Sequence, residues 1–516
     1  MLTIRHLTIV HKKDLAPLVE ELSFTVQSGE RIALIGEEGN GKSTLLRAIA
    51  GDSSIDAYAQ VTGQIHLDGR AGLLPQELPA QDRDKTAYAY FGEEECFFDR
   101  TPRELGALAA QLRLPADIFY SDQTMRSFSG GERVKLQLAR LLLSEPELLL
   151  LDEPSNDLDM ETVRDLEAFL CSCPQAVLFI SHDEMLLRRA ATGVLLLERL
   201  HRRQTVRASL SRQGYDDFVR QRADLFAHQA QVARKEREEH DKKLRRYEQI
   251  RNRVEHAQDA VSRRDPGTAR LLKKKMHTVL AMGRRFEREA AEMTAMPEQE
   301  EAIFARLDCE PLPPGKVVLD LNLPELRAGD RLLCRDVRLC VRAGEKVVIT
   351  GRNGVGKSTL LRAARDALHS RADLRVFYMP QDPCDLLDMD KTPIEQLTRD
   401  GGKEESVRIG VALGSMKFTA EEMRHPCRGL SGGQRAKLMF LCMAMSGANV
   451  LLLDEPTRNL SPLSAPVVRA LFAGYPGCIL AVSHDACFIS EAATRAVALT
   501  ASGIAQRPST EFDEKW

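Results

Sequence analysis

Apolar runs of four or five residues recur along the chain, at Arg31 to Ile35, Leu148 to Leu151, Val177 to Ile180 and Lys346 to Thr350. Runs of this length without alternation predict strands buried on both faces of a mainly parallel sheet, with helices following them. From about Gln213 to Met296 the pattern reverses. The chain there is polar and charged, rich in Glu, Lys, Arg, Gln and Ala and poor in strand formers. Asp265, Pro266 and Gly267 interrupt this stretch once, a turn signal between two helices. The expectation is a helical hairpin over about 213–296, turning near 265–267. Its first arm, Tyr215 to about Arg263, would run on the order of 70 Å at 1.5 Å per residue.

The apolar runs belong to one module written twice. GEEGNGKST begins at Gly36 and GRNGVGKST at Gly351; each is followed by a short apolar run and a glutamine, Gln76 and Gln381. Then come FSGGE at Phe128 and LSGGQ at Leu430, LLLLDEP ending at Pro154 and VLLLDEP ending at Pro456, and an apolar strand closing on Ser181–Asp183 or Ser483–Asp485. The last three motif pairs share one offset of 302 residues, which chance matches would not do. The predicted class is therefore α/β: a first module over 1–205, a charged helical linker over 206–315, a second module over 316–508 and a short tail over 509–516.

Composition narrows the picture. With 516 residues and 43% apolar side chains the chain is long enough for two or three domains, each with its own core. Its eleven cysteines form no C-x-x-C pair, which argues against a zinc site or disulfide framework and for reduced thiols in a cytoplasm. No apolar run approaches the roughly 18 to 20 residues that cross a bilayer, and the start, MLTIRHLTIVHKK, does not read as a secretion signal. The net charge of −3 conceals a block: Arg212 to Glu289 carries 21 Lys or Arg against 13 Asp or Glu. A basic linker between acidic modules is a localised feature that suits a polyanion.

The repeated motifs carry the chemistry. A strand, then G-x-x-x-x-G-K-S/T, then a helix aims backbone N–H groups and the positive end of a helix dipole at a phosphate chain. The first loop is Gly36, Glu37, Glu38, Gly39, Asn40, Gly41, Lys42, Ser43 and Thr44; the second is Gly351, Arg352, Asn353, Gly354, Val355, Gly356, Lys357, Ser358 and Thr359. Lys42 and Lys357 are placed to reach the β and γ phosphates, and Ser43 and Ser358 to ligate magnesium. One such loop is a weak signal; two in the same context are a strong one. Asp152–Glu153 and Asp454–Glu455 end buried strands. The aspartate is expected to hold magnesium and the glutamate to polarise the attacking water. His182 and His484, each after a strand and a serine, are candidates to bond the γ phosphate. Gln76 and Gln381 are candidate neutral oxygen ligands for magnesium.

The order of P-loop, glutamine, S-G-G, DE pair and histidine resembles the ABC ATPases and covers nearly the whole of each module. That resemblance implies ATP and Mg²⁺ as ligands, hydrolysis to ADP and phosphate, and two domains closing head to tail within one chain. It places Ser431, Gly432 and Gly433 over the nucleotide held by Lys42, Gln76, Asp152, Glu153 and His182. Ser129, Gly130 and Gly131 would cover the one held by Lys357, Gln381, Asp454, Glu455 and His484. No tyrosine stands clearly before either P-loop to stack on adenine.

Two fused modules, no spanning segment and a charged helical linker are together similar to the ABC-F translation factors. In that class the hairpin enters the ribosomal E site and points toward the peptidyl-transferase centre. Val261 to Met276 lies where the hairpin tip would be, and its basic residues suit rRNA phosphates, with P-site tRNA as a further contact. Gln76 to Ser129 spans 53 residues against 50 for Gln381 to Ser431, which argues against a substantial arm of the kind some members insert there. The armless form resembles the branch that protects ribosomes against antibiotics. The second reading is a cytoplasmic ATPase subunit of a transporter with separate membrane proteins. One departure stands out: the segment after the first DEP carries Asp159, whereas the second carries Ser461 at the matching position. Unequal hydrolysis at the two sites is the consequence expected.

Overall fold

The computed structural model describes residues 1–13, 15–156, 158–200, 205–259, 266–294, 307–458 and 460–507. Each module is built on a six-stranded sheet. In the first, the strand order in space is Ala71–Leu74, Leu148–Asp152, Ala176–Ile180, Arg31–Ile35, Gly193–Leu200 and Thr205–Ser211. In the second it is Val376–Met379, Val450–Asp454, Cys478–Val482, Lys346–Thr350, Arg495–Thr500 and Gly503–Arg507. The first five strands of each are parallel and the last returns antiparallel. The predicted apolar runs are all found here; Leu148–Asp152 and Ala176–Ile180 are buried along their whole length, because helices cover both faces of the sheet.

The modules differ where their sequences differ in length. The first adds an antiparallel sheet of Pro17–Val26, Leu2–His11 and Ala59–Leu67. The second has only the hairpin Val317–Ala328 and Arg331–Arg342, because the chain passes from the helix Lys357–His369 to Val376 in six residues, too few for a third strand. Two expected boundaries move. The first sheet runs on to Ser211, past 205, since Leu200 to Val194 pair with Thr205 to Ser211. Before 316, Leu307, Cys309 and Leu312 already pack on the cores of the second module.

By internal contacts the chain divides into two units, 1–215 with 300–516, and 216–299. The second unit is a pair of helices, within which Tyr215–Asp259 has 45 residues and Pro266–Glu292 has 27. They run antiparallel: Thr294 N–H donates to Glu236, Lys243 pairs with Glu289 at 3.3 Å, and Tyr247 meets Phe286 edge-on at 5.8 Å. The expected extension of the first arm to Arg263 and the turn residue Asp265 lie outside the described residues. Pro266 and Gly267 do not form the turn but open the second helix. Proline suits that first position because its fixed φ is helical and no N–H is required there. Among the described residues no helix is long and apolar enough to cross a membrane, and all eleven cysteines are free thiols.

Candidate functional site

Both P-loops bridge the end of a central strand and the first turn of a helix, Lys42–Ala50 and Lys357–His369. Their first glycines sit where no side chain fits: a Cβ on Gly36 would lie 2.2 Å from the Leu197 carbonyl oxygen, and one on Gly351 2.6 Å from that of Leu499. Gly41 and Gly356 precede the helices at φ 85° and 105°, left-handed values that glycine adopts without steric cost. In the loop mouths Lys42 Nζ donates to the Gly36 and Glu37 carbonyls at 2.8 and 3.0 Å, and Lys357 Nζ to those of Gly351 and Arg352 at 2.9 and 3.1 Å. Burial pushes both ammonium groups below their usual pKa. Each is thus a buried cation fastened by neutral carbonyls, an arrangement that an anionic phosphate would relieve.

The carboxylate pairs face these lysines. Ser43 Oγ donates to Asp152 Oδ1 at 3.0 Å and Ser358 Oγ to Asp454 Oδ1 at 3.2 Å. Burial raises both aspartates. Glu153 and Glu455 follow at φ 53° and 52°, while their N–H groups still pair with Ile180 and Val482 of the neighbouring strand. A left-handed non-glycine residue costs on the order of 1–3 kcal/mol, and such strain gathers at functional sites.

The two copies then diverge. His182 Nε2 lies 2.9 Å from Glu153 Oε1, and its Nδ1 lies 2.6 Å from the Leu460 carbonyl of the other module. Burial works to raise the Glu153 carboxyl, but His182 and Lys42 outweigh it and hold it below the usual range. In the second copy His484 Nε2 stands 3.8 Å from Glu455 Oε1, and neither ring nitrogen has a hydrogen-bond partner. Burial pushes Glu455 up to about 8 and His484 down to about 4.

One cleft of about 900 Å³ joins the two copies. Glu38, Gly39, Gly41, Lys42, Ser43, Thr44, Gln76, Glu153 and His182 line it from one side, with Asn353, Gly354, Gly356, Lys357, Ser358, Thr359, Gln381, Asp454, Glu455 and His484 from the other. Gly36, Glu37, Asn40, Asp152, Gly351, Arg352 and Val355 do not line it; Asn40 bonds the Leu197 carbonyl at 3.1 Å. Neither S-G-G triplet lines the cleft. Ser129 and Ser431 instead cap the helices Gly130–Leu143 and Gly432–Ser446 through reciprocal bonds with Glu132 and Gln434. The second triplet nevertheless abuts the first P-loop: a Cβ on Gly432 would lie 2.6 Å from the Glu38 carboxylate. Gly130, Gly131 and Gly433 begin the same helices.

Sequence spacing missed several participants. His11, Leu18 and Tyr58 line the cleft beside the first P-loop and Ala328, Arg331 and Leu333 beside the second, all from the antiparallel strands and the segments next to them. Across the module interface Arg469 clasps Glu184 at 2.6 and 3.2 Å, with both side chains nearly fully buried. That pair joins segments 285 residues apart, and no local motif announces it.

Two P-loops on parallel sheets, each beside the carboxylate pair and histidine of its own module and both opening on a shared cleft, define a tandem nucleotide-hydrolysing ATPase. The chain belongs to the ABC transporter family: the family model of that description matches residues 19–156 and 334–458, just over half its length. It is similar to the energy-dependent translational throttle protein EttA of Escherichia coli (strain K12), 29% identical over 92% of this chain and 88% of that one. It is also similar to ABC transporter F family member 5 of Arabidopsis thaliana, 25% identical over 93% and 72%. Among solved structures, an archaeal ribosome recycling factor in complex with a ribosomal stalk protein shares its fold, with a TM-score of 0.59 at 15% identity over 97% of this chain and 90% of that one.

Proposed function

We propose that this protein is an ABC-F factor of the cytoplasm that binds and hydrolyses ATP to act on the ribosome as a single chain. The observation that carries the reading is a basic antiparallel helix pair that lies, in the order of the sequence, between two complete ATPase modules. A linker with eight more cations than anions over 212–289 suits rRNA phosphates in the E site and tRNA beyond it. Similarity to a translational throttle protein supports the same direction.

Within each site we assign Lys42 and Lys357 to the phosphates and the P-loop N–H groups to cradling them. Ser43 with Asp152, and Ser358 with Asp454, are hard oxygen donors that fit Mg²⁺, with Gln76 and Gln381 completing the set. Among the described residues no cluster of three His, Cys, Asp or Glu competes for a softer metal. Magnesium supplies charge neutralisation at the phosphates when it is bound. Glu153 and Glu455 orient the attacking water, and His182 and His484 hold the γ phosphate. Ser129 to Gly131 and Ser431 to Gly433 close over the nucleotide of the opposite module. Tyr58 and His11 offer rings to the base at the first site.

The test is co-sedimentation of a Glu153→Gln, Glu455→Gln double variant with 70S ribosomes. ATP-dependent pelleting is expected, since losing both carboxylates traps the ATP form. ATP binding without pelleting would overturn the ribosome reading in favour of a transporter subunit. Protection against lincosamides, streptogramins A or pleuromutilins is the narrower reading, favoured by the short span between Gln76 and Ser129. Translation in vitro with a lincosamide, with and without the protein, checks it; equal inhibition would exclude it for that drug.

A further inference from the structure

The two P-loops meet their opposite modules differently. Glu37 reaches across the interface: its Oε2 lies 3.1 Å from Lys437 Nζ and its Oε1 accepts from Ser464 Oγ at 3.1 Å. Ser464 in turn accepts from Ser461 Oγ at 3.1 Å. Lys437, Ser461 and Ser464 are all buried, and Glu37 is nearly so.

The 302-residue offset makes the departure measurable. Lys437 corresponds to Lys135, which is held inside its own module by Asp165 at 2.6 Å. At the position of Asp165 the second module has Val467, so Lys437 lacks that carboxylate and takes Glu37 of the other module instead. Ser461 corresponds to Asp159, which caps its helix by accepting from Thr162 and whose charge acts on Lys357 and His484 of the second site. At the first site no carboxylate arrives from the opposite module at this position. Glu37 provides it from within the P-loop, where it acts on Lys42. An aspartate at 461 would set a second buried carboxylate against Glu37 through Ser464. The glutamate in one loop and the serine in the other are two halves of one arrangement.

We propose that Lys437, Ser464 and Ser461 form a cross-module receptor for Glu37 that positions the first P-loop, making these three residues positioning residues for the first ATP site alone. Its opposite number is not equivalent. Arg352, which stands where Glu37 does in the second loop, pairs with Glu161 on the open surface at 2.9 Å, and such exposed pairs contribute little. The inference rests on the composite-site reading above.

The experiment measures equilibrium binding of labelled ATP with Mg²⁺ to the full chain carrying Glu153→Gln and Glu455→Gln. Two sites are expected. Adding Glu37→Arg or Lys437→Glu weakens one site by about fivefold or more, corresponding to roughly one step of charge-pair loss, and leaves the other within about twofold. Combining the two exchanges restores the weakened site, which a merely structural role would not do. Ser461→Asp weakens that site while Glu37 is present and is relieved by Glu37→Gln. Equal weakening at both sites, no restoration by the combined exchange, or a harmless Ser461→Asp would overturn the proposal. A parent chain that binds fewer than two ATP would overturn the composite-site reading beneath it.

Discussion

Removing Arg469 tests the interface most severely. Its guanidinium donates twice to Glu184 of the other module and once to Glu491 at 2.7 Å, and it is 1% exposed. Arg469→Met removes the cation and leaves a similar volume of apolar side chain. Glu491 is 46% exposed and returns to water, but Glu184 is left at 4% with only Arg188 at 3.5 Å. Breaking a buried pair from one side costs about 3–5 kcal/mol, because an uncompensated charge stays in a low-dielectric interior. At 1.4 kcal/mol per decade this is roughly two to four orders of magnitude in local opening. Hydrogen exchange at Ala465–Gly474 and Glu184–Ala190 reads that opening directly. The double variant Glu184→Met, Arg469→Met removes both charges and is expected to recover most of the loss. A loss below about 1 kcal/mol in the single variant, or a double variant no better than the single, would refute the reasoning.

Other outcomes follow from the same geometry. Glu153→Gln is expected to cost its site roughly 10²-fold or more in rate, and Glu455→Gln to cost the chain less, because Glu153 is paired with His182 and ionised while burial lifts Glu455 to about 8. Equal losses in steady-state ATPase rate would contradict the asymmetry. Burial, aided by Asp485, lifts Asp183 to about 6 although it caps a helix from Met185 and Leu186. A raised acid costs stability when ionised, so the penalty is present above pH 6 and fades as pH falls toward 3.8. Asp183→Asn therefore raises the melting temperature at pH 8, by the equivalent of up to about 3 kcal/mol, and by little at pH 4; no gain at pH 8 would sink the idea. Ser431→Ala removes the acceptor for the Gln434 N–H and should lower stability by about 1 kcal/mol, measured by urea unfolding.

What the sequence discloses is what is local. Strands such as Leu148–Asp152 announce themselves because both faces are buried and nothing polar interrupts them. The P-loops do so because phosphate geometry fixes glycine and lysine at set spacings. The end of the first sheet at Ser211 was hidden because TVRASLS alternates weakly and looks polar; its partner Gly193–Leu200 makes it a strand. The strained φ of Glu153 and Glu455 and the unpartnered His484 ring appear only in the folded chain, and the Glu184–Arg469 clasp depends on how two modules pack together. Ser461 stands out in the sequence as a departure from Asp159, with unequal hydrolysis the consequence expected. Its partner Ser464 and the reach of Glu37 across the interface give the substitution a structural complement that spacing alone did not display.

The central claim is that two ATP sites are each completed by both modules of one chain. Its most direct test is ATP stoichiometry of the Glu153→Gln, Glu455→Gln variant measured together with its mass in solution by light scattering. The account predicts two ATP per chain at the mass of a 57.6 kDa monomer. Tight binding of two ATP only in a species of twice that mass would mean that the sites are completed between chains, and would contradict it.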